Sequence, residues 1–410
     1  MNTTSDINLL SLFSGCGGMD LGFEGHFPVH ERSATDVERG LEDHLALLKK
    51  TRFRVVFAND ILEEAFVAWS NYFKRPGVYR RESIVDLVKA HRQGEAVFPA
   101  GVDVVTGGFP CQDFSLAGKR RGFDSHKDHH GNLIREAVAG EETRGKLYTW
   151  MKEVIDITKP KVFIAENVKG LVNLSDVKEV IQRDFASADD GGYLVLPPRV
   201  LHAADFGVPQ ARERVIFIGL RVAALKAAAR DALTRDPVPE AYDPYPRPTH
   251  AYTVVNNRLK RPVTLSEIFA SLPEPDEATD PAQRFYSRAK YMGAHCQGQK
   301  EVNLSGIGPT IRSEHHGNIE FRRLSAARGG KMAAELARGM AERRLTPREC
   351  ALIQTFPPDY PFVIPAGERS RRFLLNPSDA YKVIGNAVPP LLAYHLARRL
   401  ESLWPLYFEK

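Results

Sequence analysis

A thiol, two acids and a cluster of glycines stand where short apolar runs of this chain give way to loops. Cys111 lies in the segment GGFPCQ, residues 107–112, with Gln112 and Ser115 following and the basic run Lys119, Arg120 and Arg121 close behind. Gly-Gly ahead of Pro puts this thiol on a loop, and nearby cations lower a thiol pKa and make it a nucleophile. The competing reading is the usual one for a free cysteine, a small buried hydrophobe. Glu166 directly follows an apolar run, in Glu166-Asn167-Val168. Desolvation raises a carboxyl pKa there and makes a proton donor near neutral pH, with a structural ion pair as the alternative. The segment FSGCGG (Phe13, Ser14, Gly15, Cys16, Gly17, Gly18) lets the backbone turn tightly against a ligand ahead of a helix N-terminus, and reads equally as a plain turn. It is not GxGxxG, and no Lys-Ser/Thr pair follows, so a phosphate-binding P-loop is disfavoured. Asp60, in Asn59-Asp60-Ile61, stands where an acid holds ribose hydroxyls or caps a helix.

The elements that must position these groups alternate. Strands are expected over 7–13, 54–58, 102–106, 162–165 and 215–220, and helices over 62–73, 146–158 and 177–185. That alternation predicts an α/β fold with a mainly parallel sheet, in which ligands sit beyond the carboxyl ends of the strands. All four groups then share one sheet edge, which packing alone explains poorly. After residue 220 the pattern breaks. A short Ala-rich helix leads into a connector, 236–250, with Pro237, Pro239, Pro244, Pro246 and Pro248, too many for a helix interior or a central strand. Irregular sequence runs to about 343. Helical periodicity returns over 346–356, with Thr346 as N-cap, Pro347 at the first helical position and Glu349 closing a capping box. A last helix is expected over 390–400.

Composition sets the outer limits. The 410 residues carry 56 Lys+Arg against 51 Asp+Glu, a net +5, with 43% apolar and 26% charged residues, which excludes global disorder. No run approaches a membrane span, and MNTTSDINLL lacks the basic and apolar regions of a secretory signal. Four cysteines (16, 111, 296, 350) show neither CxxC nor zinc spacing, so a reduced cytoplasmic protein without a metal is expected.

With those residues in place, the chain resembles the DNA (cytosine-5) methyltransferases of bacterial restriction-modification systems. FSGCGG is similar to the family's cofactor loop, FPCQ to its nucleophile loop and Glu166-Asn167-Val168 to its ENV acid. The segment 210–214, QARER, is similar to its QxRxR element, 344–349, RLTPRE, to the element preceding the return to the large domain, and 385–388, GNAV, to its GNxV element. The six run in order from residue 7 to about 400. The resemblance implies a Rossmann-like fold that binds S-adenosyl-L-methionine. Phe13 would stack on the adenine with Ile61 on its other face, Asp60 would bind the ribose, and Ser14, Gly15, Cys16, Gly17 and Gly18 would surround the methionine end, closed by Asn386, Ala387 and Val388. It implies Cys111 as nucleophile, Glu166 as the acid at cytosine N3 and Arg214 as a cytosine contact. Arg212, grouped with them, would support the loop or a phosphate.

Three departures stand out. Ser83-Ile84 replaces the acid-Ile pair that meets the adenine amino group, so Ser83 and Ile84 are the expected contacts. An insertion over about 124–142, with His126, His129 and His130, follows the nucleophile loop as a DNA-contacting flap or a solvated loop. Cys16 replaces a residue that is often apolar or small, and reads as loop packing.

The organisation implied is a catalytic domain over 1–220, a target-recognition domain over 221–343 and a return over 344–410. Gln112, Ser115, Lys119, Arg120, Arg312, Asn318, Arg322 and Arg323 are the candidate DNA contacts. Arg312 suits a guanine edge or a phosphate, Asn318 an adenine edge, and Arg322-Arg323 a solvated or phosphate-facing pair. Residues 281–345 hold 12 Lys+Arg against 5 Asp+Glu, so the basic charge concentrates in the proposed DNA-reading region. The expected partners are double-stranded DNA and, on the same site, a cognate restriction endonuclease, with the chain a monomer away from membranes. Rival readings are an RNA cytosine-5 methyltransferase, a catalytically silent DNA-binding homologue, and a nucleotide-binding oxidoreductase. The last is disfavoured by the missing GxGxxG and the lack of a second nearby cysteine.

Overall fold

In the computed structural model, the apolar run Ile7–Leu12 is the central strand, β1, because its side chains alternate between two buried layers. Ile7 and Leu9 enter one core and Leu10 and Leu12 the other, so the sheet must be covered on both faces. The structure describes residues 5–110, 147–173, 177–253, 256, 258–288, 291–293, 296, 299–313, 320–367 and 370–409.

The other strands of the sheet are β2 (Phe53–Asn59), β3 (Tyr79–Arg80), β4 (Val104–Gly107), β5 (Val162–Val168), β6 (Tyr193–Val195), β7 (Arg199–His202) and β8 (Glu213–Arg221). Their order is β7-β8-β5-β4-β1-β2-β3, with β6 paired to the far end of β8. Strands β3, β2, β1, β4 and β5 are mutually parallel, while β8 runs against β5, β6 and β7. The chain leaves β1 toward β2 and returns on its other side as β4, so the crevice between β1 and β4 is the switch point at which open α/β sheets bind ligands.

Helices α1 (Gly18–Glu24) and α2 (Glu63–Phe73) cover one face, and α3 (Ile84–Arg92), α4 (Leu147–Thr158) and α5 (Val177–Ala186) the other. After the central region, α6 (Pro347–Ile353), α7 (Pro377–Asn386) and α8 (Pro390–Tyr407) return to the first face. Thr346 and Glu349 form the expected capping box at α6. The last helix runs seven residues past its expected end, to Tyr407, carrying Leu403, Trp404 and Tyr407 into the same core. Between residues 221 and 343 the described elements are short, among them Leu265–Ile268, Pro281–Arg284 and β9 (Phe321–Arg323), which pairs with β10 (Arg343–Arg344). Among the described residues no helix is long and apolar enough to cross a membrane.

One boundary bears on function. The strand expected to stop at residue 165 continues to Val168, so Glu166 lies within β5 and not after it. The cause is β8, which pairs with Glu166, Asn167 and Val168 and so extends the ladder.

Candidate active site

The carboxyl ends of β1, β2, β4 and β5 bound a cavity of about 930 Å³, toward the upper end of ligand pockets. The first wall is built by the Gly-rich turn. Phe13 leaves β1 with φ 53°, and Ser14 N–H donates to the Asn59 carbonyl at 2.8 Å. The chain then reverses through Gly17 at φ 81°, where a Cβ would lie 2.6 Å from both Trp69 and Phe73. Phe13, Ser14 and Gly15 reach the cavity, whereas Cys16, Gly17 and Gly18 form the turn behind it. The Cys16 thiol is fully buried, donates to the Val383 carbonyl at 3.3 Å and has its pKa pushed up by burial, so it packs and does not react.

Asp60 links this turn to the next strand. Its Oδ2 accepts from Gly15 N at 3.0 Å and its Oδ1 from Leu62 N at 3.0 Å, and burial raises its pKa. Leu62, not Asp60, is the N-cap of α2. Ile61 is exposed on the same cavity wall. Ser83 and Ile84 also line it, but the Ser83 hydroxyl accepts from Val85 N at 3.3 Å and caps α3. Asn59, unnoticed in the sequence as a contributor, holds this corner by donating to the Arg80 and Glu82 carbonyls at 3.0 and 2.8 Å.

The second wall is acidic and basic together. Across the antiparallel pair β5–β8, Glu166 faces Ile216 and Val168 faces Arg214, so Arg214 stands on the diagonal from Glu166, within reach of a long side chain. Arg214 Nε lies 2.7 Å from Glu166 Oε1. Burial raises the Glu166 pKa, and the Arg214 and Arg212 guanidiniums pull the other way. A Cβ on Gly108 would meet Glu166 Oε2 at 2.9 Å, so the main chain after β4 passes close by this carboxyl. Asn167 fixes that chain, donating from Nδ2 to the Phe109 carbonyl at 3.1 Å. Cys111, Gln112, Ser115, Lys119, Arg120, the insertion with its three histidines, and Asn318 lie outside the described residues.

The third wall comes from the returning chain. Asn386, Ala387 and Val388 line the cavity together with Thr310, Ile311 and Arg312. The two segments touch because Gly385 has no side chain: a Cβ there would sit 2.1 Å from the Arg312 carbonyl carbon. Arg212 is not a cavity residue. It is fully buried and donates to the carbonyls of Ile311 (2.8 Å), Gly385 (3.0 Å) and Ala387 (2.8 Å), which makes it a strut between both segments. Gln210 adds to the strut, donating to Gln354 Oε1 at 2.8 Å and accepting from Ile311 N at 3.0 Å. The roles of Gln210 and Asn167 escaped sequence reading, although both lie in the quoted motifs, and Thr310 lies in none of them.

Two expected DNA contacts are corrected. Arg323 is fully buried, paired with Glu274 at 2.8 Å and Glu335 at 2.6 Å, and Arg322 is bound to Glu335 at 3.1 Å. Arg343, paired with Glu274 and Glu349, is buried beside them. Glu274 and Glu349 fall outside the window 281–345, so part of the basic excess counted there is neutralised inside the fold.

The residues present fit S-adenosyl-L-methionine. An aromatic ring, a carboxylate and an open backbone turn line one end of the cavity, where a Cβ at Gly15 would meet nothing within 4 Å. Among the described residues no group of three His, Cys, Asp or Glu is arranged to hold a metal.

A family model for C-5 cytosine-specific DNA methylase matches residues 7–402. Type II methyltransferase M.BsuRI of Bacillus subtilis is 32% identical, over 99% of this chain and 81% of the relative. M.NgoFVII of Neisseria gonorrhoeae is 29% identical over 98% and 88%. A solved structure of a Spodoptera frugiperda DNMT2 mutant has a TM-score of 0.53 at 17% identity, over 96% of this chain and 99% of that one, a likeness of fold.

Proposed function

The chain belongs to the C-5 cytosine-specific DNA methylase family, and from that premise we propose that it methylates C5 of a flipped cytosine in a specific double-stranded DNA site through a covalent adduct on Cys111. The observation that carries this reading is the Glu166–Arg214 pair in the same cavity as Phe13 and Asp60, beside main chain that leads from Phe109 to Cys111.

Cytosine C5 is a poor nucleophile because its ring is aromatic and electron-poor. Attack of the Cys111 thiolate forms a bond from Sγ to C6 and makes C5 enamine-like. Glu166, whose pKa is raised by burial, donates to N3 and neutralises the charge that this addition creates. Arg214 holds the base against Glu166 and limits how far the pKa of that acid rises. Phe13, Ser14, Gly15, Asp60 and Ile61 would hold S-adenosyl-L-methionine, whose sulfonium would supply the methyl group that C5 takes and would leave as the neutral thioether. The C5 proton then passes to solvent water, its electron pair restores the C5–C6 double bond as the Sγ–C6 bond breaks to free the Cys111 thiolate, and N3 returns its proton to Glu166. C6 is shielded inside a stacked duplex, so the base must leave the helix to reach Glu166.

The domain reading follows: 1–220 catalytic, 221–343 target-recognising, 344–410 returning to close the cofactor wall. Likeness to two type II methyltransferases supports a protective role against a cognate restriction endonuclease. Bisulfite sequencing of DNA from cells expressing the chain is the test. A fixed methylated sequence is expected, lost in Cys111→Ser while that variant still binds cofactor. Methylated RNA with unmodified DNA would move the substrate to RNA.

A further inference from the structure

Behind the Gly-rich turn lies an ionisable group that the proposed reaction does not use. Asp20 is fully buried, with its Oδ1 accepting from Ser11 Oγ at 2.5 Å and its Oδ2 from Trp69 Nε1 at 2.8 Å. Ser14 Oγ in turn shares its one proton between Ser11 Oγ at 2.9 Å and the Ser11 carbonyl at 3.0 Å, and accepts from Asn59 N at 3.1 Å. Ser11 and Ser14 both line the cavity, so two hydroxyls connect a hidden carboxylate to the ligand space. Every donor in this chain points inward. The oxygen lone pairs, polarised by the ionised carboxylate, are what remain for the cavity.

We propose that Asp20 selects the cofactor by charge, through Ser11 and Ser14, favouring the cationic sulfonium form over the neutral thioether left after methyl transfer. This rests on the reading that the methionine end of the cofactor lies against the turn of residues 13–18. A buried carboxylate without a cation is an uncompensated charge, and a cationic ligand supplies the compensation. Among the described residues Asp20 makes no ion pair, because Arg75, the cation near it, is held by Glu24 through bonds of 2.5 and 2.7 Å. The other groups acting around it are Cys16, Tyr79 and Tyr360, whose pKa values burial pushes up and which therefore stay neutral. Burial lifts Asp20 itself to about 6, so it is charged but responsive near neutral pH.

The test is calorimetric binding at pH 7.5 of three ligands to the whole protein: S-adenosylmethionine, S-adenosylhomocysteine and sinefungin, which carries an ammonium where the sulfonium stands. Asp20→Asn should weaken the two cationic ligands roughly tenfold, the scale of one buried charge acting on another, and leave S-adenosylhomocysteine within about twofold. Equal weakening of all three, or of none, would make Asp20 a structural residue and overturn the proposal. Ser11→Ala keeps the carboxylate and cuts the relay, so it serves if Asp20→Asn does not fold. It should show the same selectivity at about threefold, and an unselective change would overturn the relay. Phe13→Ala separates the two readings. It should weaken all three ligands alike, and if it changes none, the placement of the cofactor in this cavity fails, independently of Asp20.

Discussion

Arg214 stands diagonally across β5–β8 from Glu166, with Nε 2.7 Å from Oε1, because the register sets Arg214 opposite Val168 and Glu166 opposite Ile216. The pair sets one acid between two opposing influences. Burial favours its neutral form and the cation favours its charged form, and the balance lies on the raised side. Glu166→Gln removes the proton donor and should slow turnover by ~10²–10⁴. Arg214→Met removes the opposing cation, so the Glu166 pKa should climb further. The alkaline limb of kcat/KM against pH, where the acid loses its proton, should then move to higher pH. A limb that stays in place in Arg214→Met would assign it to another group.

Asn167 should act on position rather than chemistry. Its side chain holds the Phe109 carbonyl, two residues before Cys111. Asn167→Ala frees that main chain, and a displacement of about 1 Å at a reacting atom costs on the order of 10²-fold. Single-turnover rates should fall by about that factor while S-adenosylmethionine affinity stays within about twofold. Equal loss of both would mean that the whole wall had collapsed.

Much of this arrangement was legible in the sequence because its parts are local. The strand–helix alternation, the turn after β1, the acid after β2 and the capping box at Thr346 each follow from neighbours in sequence. What escaped depends on pairing between distant segments. Glu166 belongs to a strand only because β8 lies beside it. Arg212 reads as one more cation in QARER, and only the fold brings Ile311, Gly385 and Ala387 around it. Arg322 and Arg323 look like surface charge until Glu274, almost fifty residues earlier, closes on Arg323. A basic segment therefore overstates its basic surface when its counter-charges lie outside the window.

Arg212 makes a stability prediction. Its guanidinium satisfies three carbonyls of two segments inside the fold. Arg212→Ala would take this donor from all three, leaving Ala387 only the 3.3 Å bond from Gln354 Nε2, and should cost on the order of 3–5 kcal/mol in urea unfolding. Arg212→Lys should recover only a minor part, because an ammonium cannot span the same fork. Full recovery by lysine would show that charge alone matters there.

Ser83 should matter more to α3 than to the cofactor. Its hydroxyl is already committed to Val85 N at 3.3 Å. Ser83→Ala should lower stability by about 1 kcal/mol, as loss of an N-cap does, and change S-adenosylmethionine affinity only slightly. A large loss of affinity at unchanged stability would give Ser83 the adenine contact after all.

Arg312 and Arg323 are both arginines of the central region, yet they should fail in different ways. Arg312 lines the cavity and acts on Glu320, whose own pKa is raised by burial. Arg323 is enclosed by Glu274 and Glu335. Arg312→Ala should relax discrimination at one base position by roughly 1–3 kcal/mol, read as new methylated sequences in bisulfite profiles. A uniform loss across sites, with the salt slope of DNA binding falling by about 0.9, would make Arg312 a phosphate contact instead. Arg323→Ala should leave both sequence preference and salt slope unchanged. Its effect should be on stability, on the order of 2 kcal/mol, because Glu274 and Glu335 each lose one of two guanidinium partners and keep Arg343 and Arg322. A reduced salt slope in Arg323→Ala would mean that this side chain leaves its pocket to meet DNA.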